Sequence, residues 1–130
     1  KRGNTTILKP EDMIVQKVAV QVGTKSVGYL KAFFPQVERM EVEKNQEMFN
    51  LVEIGRTDAA VTGKPAALQY AKARPGVKVL DKQVSVELYG FAVRKDLPEL
   101  TRGMNAALQK SKLDGSYDSL VKKWLASSAK

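Results

Sequence analysis

Apolar residues recur at every second position in a short segment near the start of the chain. Residues 17–22 read KVAVQV, which has the period of a strand with one apolar face. Gly23 follows and permits a turn with positive φ, and Thr24 is a favourable N-cap residue for a helix. The pattern therefore predicts a strand that ends in a tight turn and leads directly into a helix.

The remaining strand-like segments are spaced along the first two-thirds of the chain. Weak alternation at 37–42 and a short apolar run at 58–62 each predict a strand. The β-branched and aromatic residues of 84–94 predict one longer strand that bends around Gly90. A short helical turn is expected at 10–12, before the first strand.

Between and after these strands, apolar residues recur at the spacing of an α-helix. Helices are predicted at about 25–34, from Asn45 as N-cap to a closing Gly55, and from about 64 to 73. Two further helices, separated by Asp114-Gly115, end the chain. Their apolar stripes are interpreted as core, and comprise Leu100, Met104, Ala107 and Leu108 in the first and Tyr117, Leu120, Val121, Trp124 and Leu125 in the second.

Alternation of strands and helices through short connections predicts an open α/β sheet with right-handed crossovers. Ligands in such sheets bind beyond the carboxyl ends of the strands, so the turns at 23–26 and 62–64 are expected to face one cleft. The first backbone N–H groups of a helix lack intrahelical acceptors and carry the positive end of its dipole, which favours a carboxylate or phosphate. Lys25 adds a positive charge there.

The amino-acid composition limits the kinds of catalytic and metal-binding sites that this chain can form. The 130 residues suit one domain, and the chain contains no cysteine and no histidine. Disulfides, thiolate nucleophiles, Cys/His zinc sites and imidazole acid–base catalysis are therefore excluded within this chain. No catalytic group, metal or cofactor is predicted, and Arg56 and Asp58 are interpreted as turn-stabilising residues.

The net charge of +8 would attract anionic ligands, nucleic acid or membrane surfaces. The C-terminal lysines, however, are interleaved with apolar residues at helical spacing, which is typical of a solvated helix face. Nucleic-acid binding is therefore not favoured. No apolar run approaches the roughly 18 residues that span a bilayer.

Several blocks, in order along the chain, resemble one protein family. They are the segment LKPEDM at 8–13, the strand and turn VAVQVGT at 18–24, GRTDAAV at 55–61, YGFAVRKD at 89–96, and the C-terminal DGSY and KW motifs at 114–117 and 123–124. Together they resemble the type II periplasmic substrate-binding proteins, particularly the bacterial extracellular solute-binding proteins of family 3, the polar amino-acid ABC transporter type. The resemblance covers nearly the whole chain.

This resemblance implies two α/β lobes that close around a small solute and present it to an ABC transporter permease, in the periplasm or anchored outside the cell. It implies an open mixed sheet flanked by helices, with residues 1–83 in the second ligand-binding lobe, 84–88 as a hinge crossing, and 89–130 as a strand and helices of the first lobe. Most of the first lobe is absent, so the chain is expected to be truncated relative to the family. We therefore expect an associated state, such as a domain-swapped homo-oligomer.

The resemblance also assigns the ligand contacts. The turn containing Thr24, Lys25 and Ser26 is implied to bind the ligand's α-carboxylate, while Thr62 and Gly63 line the second strand end. Amino-acid binders of the family generally carry an acid at the position of Gly63, which pairs with the ligand's ammonium. Loss of such a charge-assisted contact removes about 1.5–3 kcal/mol. The expected solute is therefore small and polar or anionic, an amino acid or a related carboxylate, with the anionic class favoured.

Two other functions remain open at this point. The same fold serves as the ligand-sensing domain of membrane receptors, and it resembles periplasmic dehydratase-like enzymes that act on cyclic acids. The absence of histidine and of a convergent acid–base pair argues against an enzyme.

Overall fold

The computed structural model describes residues 3–125. The chain forms two compact units, unit 1 (Lys1–Ser85) and unit 2 (Val86–Lys130). After a 3₁₀ turn at Pro10–Met13, unit 1 contains β1 (Lys17–Gln21), α1 (Lys25–Phe33), β2 (Glu38–Val42), α2 (Asn45–Glu53), β3 (Ala59–Val61) and α3 (Lys64–Ala73). Unit 2 contains α4 (Pro98–Leu113) and α5 (Ser116–Leu125).

The sheet of unit 1 is parallel and has the order β2-β1-β3. Because β1 is central, the connection through α1 runs to one edge of the sheet, and the connection through α2 returns across β1 to the other edge. Right-handed crossovers in opposite directions place α1 and α2 on opposite faces. The α/β architecture predicted from the sequence is confirmed, although the described sheet is wholly parallel rather than mixed.

The central strand is buried on both faces. Val18 and Val20 are fully buried on one face, where they belong to the same cluster as the fully buried Leu30 of α1. Ala19 points to the other face and clusters with Met48 and Phe49 of α2. Each buried valine, leucine or methionine contributes about 1.5–3 kcal/mol relative to an exposed one. The alternation at 17–22 therefore fixes which helix lies on which face.

The end of α2 is set by Gly55, as predicted. Its φ of 78° lies in the left-handed region, which costs glycine nothing. The N–H of Arg56 donates to the carbonyl of Leu51 at 2.9 Å, and that of Gly55 donates to Val52 at 3.2 Å, which together form a Schellman motif. This turn directs the chain back toward β3.

Side chains also hold α2 against α3. The rings of Phe49 and Tyr70 stack with centroids 4.2 Å apart. The Tyr70 hydroxyl donates to Glu53 Oε2 at 3.2 Å, and the Arg74 guanidinium donates to the same oxygen at 3.0 Å. Burial, followed by the hydrogen bond to Glu53, raises the pKa of Tyr70 above its ordinary value. These contacts fix α3, and with it the loop that precedes α3.

Two predictions for the C-terminal part are wrong. Residues 84–94 form no strand, because no strand is described in residues 86–125 to pair with their backbone. The apolar stripes of α4 and α5 are not core: no residue of 86–125 is buried, and Leu100 and Leu120 remain 50% and 55% exposed. Two helices alone offer too little apolar surface to cover these stripes. None of the helices that the structure describes is long and apolar enough to cross a membrane.

Candidate functional site

The loops that follow β1 and β3 leave the sheet at one edge. The two strands are adjacent and parallel, with Val20 opposite Val61, so their carboxyl ends coincide. From this edge the chain enters α1, whose Leu30 packs on the face of Val20, and α3, whose Tyr70 packs on the face of Ala19. Loops that diverge to opposite faces from neighbouring parallel strands leave a crevice between them, the usual ligand position in an open α/β sheet.

A third loop, between β2 and α2, reaches the same edge. The Gln21 side chain donates through Nε2 to the carbonyl of Glu43 at 2.9 Å, and the Thr62 hydroxyl donates to Asn45 Oδ1 at 3.4 Å. These hydrogen bonds link all three loops. This loop is not among the turns that the sequence predicts as ligand-facing, and Lys44 holds the N-cap position of α2 in place of the predicted Asn45. The weak alternation of 37–42 was the available signal that a third strand end lies here.

Thr24 occupies the predicted N-cap position of α1, but its side chain does not cap the helix. Gly23, with φ 71°, turns the chain so that the Thr24 hydroxyl donates backward to the carbonyl of Gln21 at 2.7 Å. The hydroxyl proton is therefore engaged, while the hydroxyl oxygen can still accept. The backbone N–H groups at the start of α1, those of Lys25 and Ser26, are consequently left for an outside acceptor.

The second predicted loop is built around Gly63. This residue is the N-cap of α3 and lacks a side chain that could cap the helix or carry a charge. Thr62 is half-buried, while Gly63 and Lys64 are exposed. The structure thus brings Thr24, Lys25 and Ser26 to the same sheet edge as Thr62 and Gly63.

Three lysines and two glutamates, Glu43 and Glu47, lie at or beside the helix starts along this edge. A lysine stands at the N-cap or first position of each of three helices: Lys25 in α1, Lys44 before α2 and Lys64 in α3, all exposed. A cation at a helix N-terminus opposes the helix dipole and disfavours the helix by about 0.3–1 kcal/mol. Here the helix dipoles and the lysine charges have the same sign, so both favour an anion at the crevice.

Comparison with known proteins identifies relatives of about twice this length. No protein-family model matches the chain. The ABC transporter glutamine-binding protein of Bacillus subtilis is 31% identical over 109 residues, which are 84% of this chain and 40% of that protein. An ancestral arginine-binding protein, solved with bound glutamine, is 40% identical with a TM-score of 0.75, and the match covers 95% of this chain and 56% of the other.

A further solved structure matches equally well. It is an ancestral amino acid-binding protein described as a precursor of cyclohexadienyl dehydratase, and it is 41% identical with a TM-score of 0.76. This match covers 97% of the chain and 55% of the other protein. All three relatives are named as binding proteins, and the chain spans about half their length.

Proposed function

Since the chain is a homologue of the family 3 substrate-binding proteins of polar amino-acid ABC transporters, spanning about half their length, we propose that it binds a small polar solute for uptake. The observation that carries this proposal is that the carboxyl ends of β1 and β3 coincide at one sheet edge, from which the β1–α1 and β3–α3 loops diverge to opposite faces. Its partner would be a transporter permease, and its place of action the periplasm or the outer surface of the cell.

Each residue at the crevice has a distinct proposed role. The N–H groups of Lys25 and Ser26 would donate to a carboxylate of the solute, together with the half-buried Ser26 hydroxyl. The Thr24 hydroxyl would act as an acceptor, because its proton is donated to Gln21. Thr62 and Gly63 would form the opposite wall.

The solute class follows from the charges at the crevice. Gly63 supplies no carboxylate at the start of α3, and three lysines surround the edge. An ammonium group on the solute would meet positive potential here, whereas a second carboxylate would be stabilised. We therefore propose a carboxylate without an α-amino group as the preferred solute, although relatives are named for glutamine and arginine.

Isothermal titration calorimetry with glutarate and glutamate tests this preference, since the two acids differ by one amino group. We expect glutarate to bind more tightly to the chain. In Gly63→Asp the order should reverse, with glutamate gaining about 10- to 150-fold relative to glutarate, as for a charge-assisted hydrogen bond. Lys25→Met should weaken the binding of both acids. Lys123→Met on α5 is the matched control and should leave the binding of both acids unchanged. Tighter binding of glutamate than glutarate by the unmodified chain would refute the proposed solute class.

The similarity to a precursor of a dehydratase raises an enzyme as a second candidate. That precursor is itself named as a binding protein, and this chain has no histidine for proton transfer. We propose binding without a chemical step. Incubation with a panel of cyclic hydroxy acids, followed by chromatography, should return each acid unchanged.

A further inference from the structure

Two threonine hydroxyls at the carboxyl edge of the sheet each give their proton to the protein. The Thr24 hydroxyl lies 2.7 Å from the backbone carbonyl of Gln21, and the Thr62 hydroxyl lies 3.4 Å from the side-chain carbonyl of Asn45. A carbonyl oxygen accepts hydrogen bonds but cannot donate one, so the hydroxyl is the donor in both pairs. Neither hydroxyl therefore has a proton left for a solute.

The same two hydroxyl oxygens keep their capacity to accept, because each has two lone pairs. An N-cap threonine ordinarily accepts a hydrogen bond from an N–H group in the first turn of its helix, but the Thr24 side chain makes no such bond. Within residues 3–125, Thr24 and Thr62 each use their hydroxyl only to donate. Two unused acceptors thus lie on the two loops that leave the sheet where β1 and β3 end.

The backbone donors nearest to Thr24 are at the start of α1. The N–H of Val27 donates to the Thr24 carbonyl at 3.2 Å, which leaves the N–H groups of Lys25 and Ser26 without an acceptor in the helix. Under the proposed function these two groups hold a carboxylate of the solute. Because Thr24 directly precedes them in the chain, an acceptor side chain stands beside the position of that carboxylate.

The charges at this edge determine which kind of donor group on the solute fits these acceptors. Three lysines outnumber two glutamates along the helix starts, and Gly63 supplies no carboxylate. An ammonium group would meet positive potential, and a ketone oxygen would place its lone pairs against those of the threonines. A hydroxyl is uncharged and needs one acceptor for its proton, so it matches the site.

We propose that the solute is a 2-hydroxy acid, which is a carboxylate with a hydroxyl on the neighbouring carbon. This inference rests on the proposed function and adds the group that replaces the ammonium of an amino acid. The carboxylate accepts from the N–H groups of Lys25 and Ser26, and the 2-hydroxyl donates to Thr24 Oγ1. Thr62 Oγ1, on the other loop, is an acceptor that likewise excludes a ketone oxygen.

Asn45 is a positioning residue in this arrangement. It is half-buried at the first position of α2, and its Oδ1 holds the proton of the Thr62 hydroxyl. Without this acceptor the Thr62 hydroxyl is free to turn and donate to a carbonyl group of the solute. The Asn45 amide therefore selects against 2-oxo acids, which share the carbon chain of a 2-hydroxy acid but carry no donor at carbon 2.

Isothermal titration calorimetry with glutarate, 2-hydroxyglutarate and 2-oxoglutarate tests the proposal, since these acids differ only at carbon 2. We expect the better enantiomer of 2-hydroxyglutarate to bind the chain about 2- to 10-fold more tightly than glutarate, as for one neutral hydrogen bond. We expect 2-oxoglutarate to bind no more tightly than glutarate.

Three variants assign these differences to residues. Thr24→Val keeps the side-chain shape but removes the acceptor, so 2-hydroxyglutarate should lose its advantage over glutarate. Asn45→Ala should raise the affinity for 2-oxoglutarate about 2- to 10-fold relative to glutarate, because the Thr62 hydroxyl can then donate. A purely structural role of Asn45 would instead weaken the binding of all three acids alike. Gln46→Ala is the matched control, because this exposed amide bonds Asn50 on its own helix, and it should leave all three affinities within about twofold.

The outcomes separate this proposal from the proposed function. If none of the three acids binds, the proposed solute class fails and the 2-hydroxy acid fails with it. If glutarate binds but neither enantiomer of 2-hydroxyglutarate binds more tightly, or if 2-oxoglutarate binds most tightly of the three, the 2-hydroxy acid is overturned while the proposed function stands.

Discussion

Val15 should be a site where loss of a side chain stabilises the fold. Its φ is 61°, in the left-handed region, and it is a β-branched residue, for which this conformation is a clear outlier. The left-handed conformation costs an L-residue about 1–2 kcal/mol. Because the side chain is 78% exposed, its removal loses little buried surface. Val15→Gly releases this strain, but the greater conformational freedom of glycine in the unfolded chain lowers the free energy of unfolding by about 0.5–1 kcal/mol. The net expectation is a gain of about 0–1.5 kcal/mol in the free energy of unfolding.

The neighbouring residue provides a matched control. Ile14 has φ −57° and ψ 132°, an ordinary extended conformation, and is 41% exposed. Ile14→Gly therefore adds unfolded-state freedom without releasing strain, and should destabilise by about 0.5–1 kcal/mol. Urea unfolding followed by circular dichroism should show a higher midpoint for Val15→Gly and a lower one for Ile14→Gly. Equal decreases for both variants would refute the reasoning from strain.

Three further predictions concern the packing of unit 1. Leu30→Ala should destabilise by about 2–5 kcal/mol in urea unfolding, because Leu30 is fully buried, whereas Ile54→Ala at a 67% exposed position should stay within about 0.5 kcal/mol. Tyr70→Phe should cost about 0.5–1.5 kcal/mol at neutral pH through loss of the hydrogen bond to Glu53. Because the folded-state pKa of Tyr70 is raised, the stability that its neutral hydroxyl provides is intact below about pH 10 and is lost as pH rises through the folded-state pKa. The free energy of unfolding of Tyr70→Phe should therefore fall less steeply at alkaline pH than that of the unmodified chain. An equally steep fall in both proteins would contradict this. The pKa of Asp12 is lowered because the backbone N–H groups of Leu8 and Lys9 donate to its carboxylate. The stability that the Asp12 carboxylate provides is therefore fully present above about pH 3.8 and is lost as pH falls through the folded-state pKa. The difference in thermal midpoint between the chain and Asp12→Asn should vanish at that low pH, and a difference that persists in acid would contradict this assignment.

The sequence predicts unit 1 well because its local signals agree with its packing. Alternation at 17–22 identifies the central strand, and Gly23 and Gly55 mark turns that do require positive φ. Thr24 was placed correctly, but the direction of its hydroxyl was not predictable. That direction depends on where the Gln21 carbonyl lies after the turn, which is a matter of three-dimensional geometry rather than of residue type.

Unit 2 shows where such reasoning fails. An apolar stripe on a helix indicates that something covers it, but not whether the covering surface lies within the same chain. For α4 and α5 the spacing of Leu100 and Leu120 predicted helices correctly and their burial wrongly. The prediction of a strand at 84–94 was wrong for the same reason. A strand forms only beside a neighbouring strand that pairs with its backbone, and the sequence of 84–94 does not show whether such a neighbour is present.

The position of the loops at 23–26 and 62–64 also has a consequence for how the proposed solute preference can change. The last paired positions are Val20 and Val61 between β1 and β3, and Gln21 and Val42 between β1 and β2, so all of them precede the loops. Under the proposed function, substitutions at 23–26 and 62–64 would therefore alter which solute is bound, while the paired strands beneath them stay unchanged. Under the proposed function, exchanging these seven positions between homologues would transfer solute selectivity without a change in the sheet that supports them.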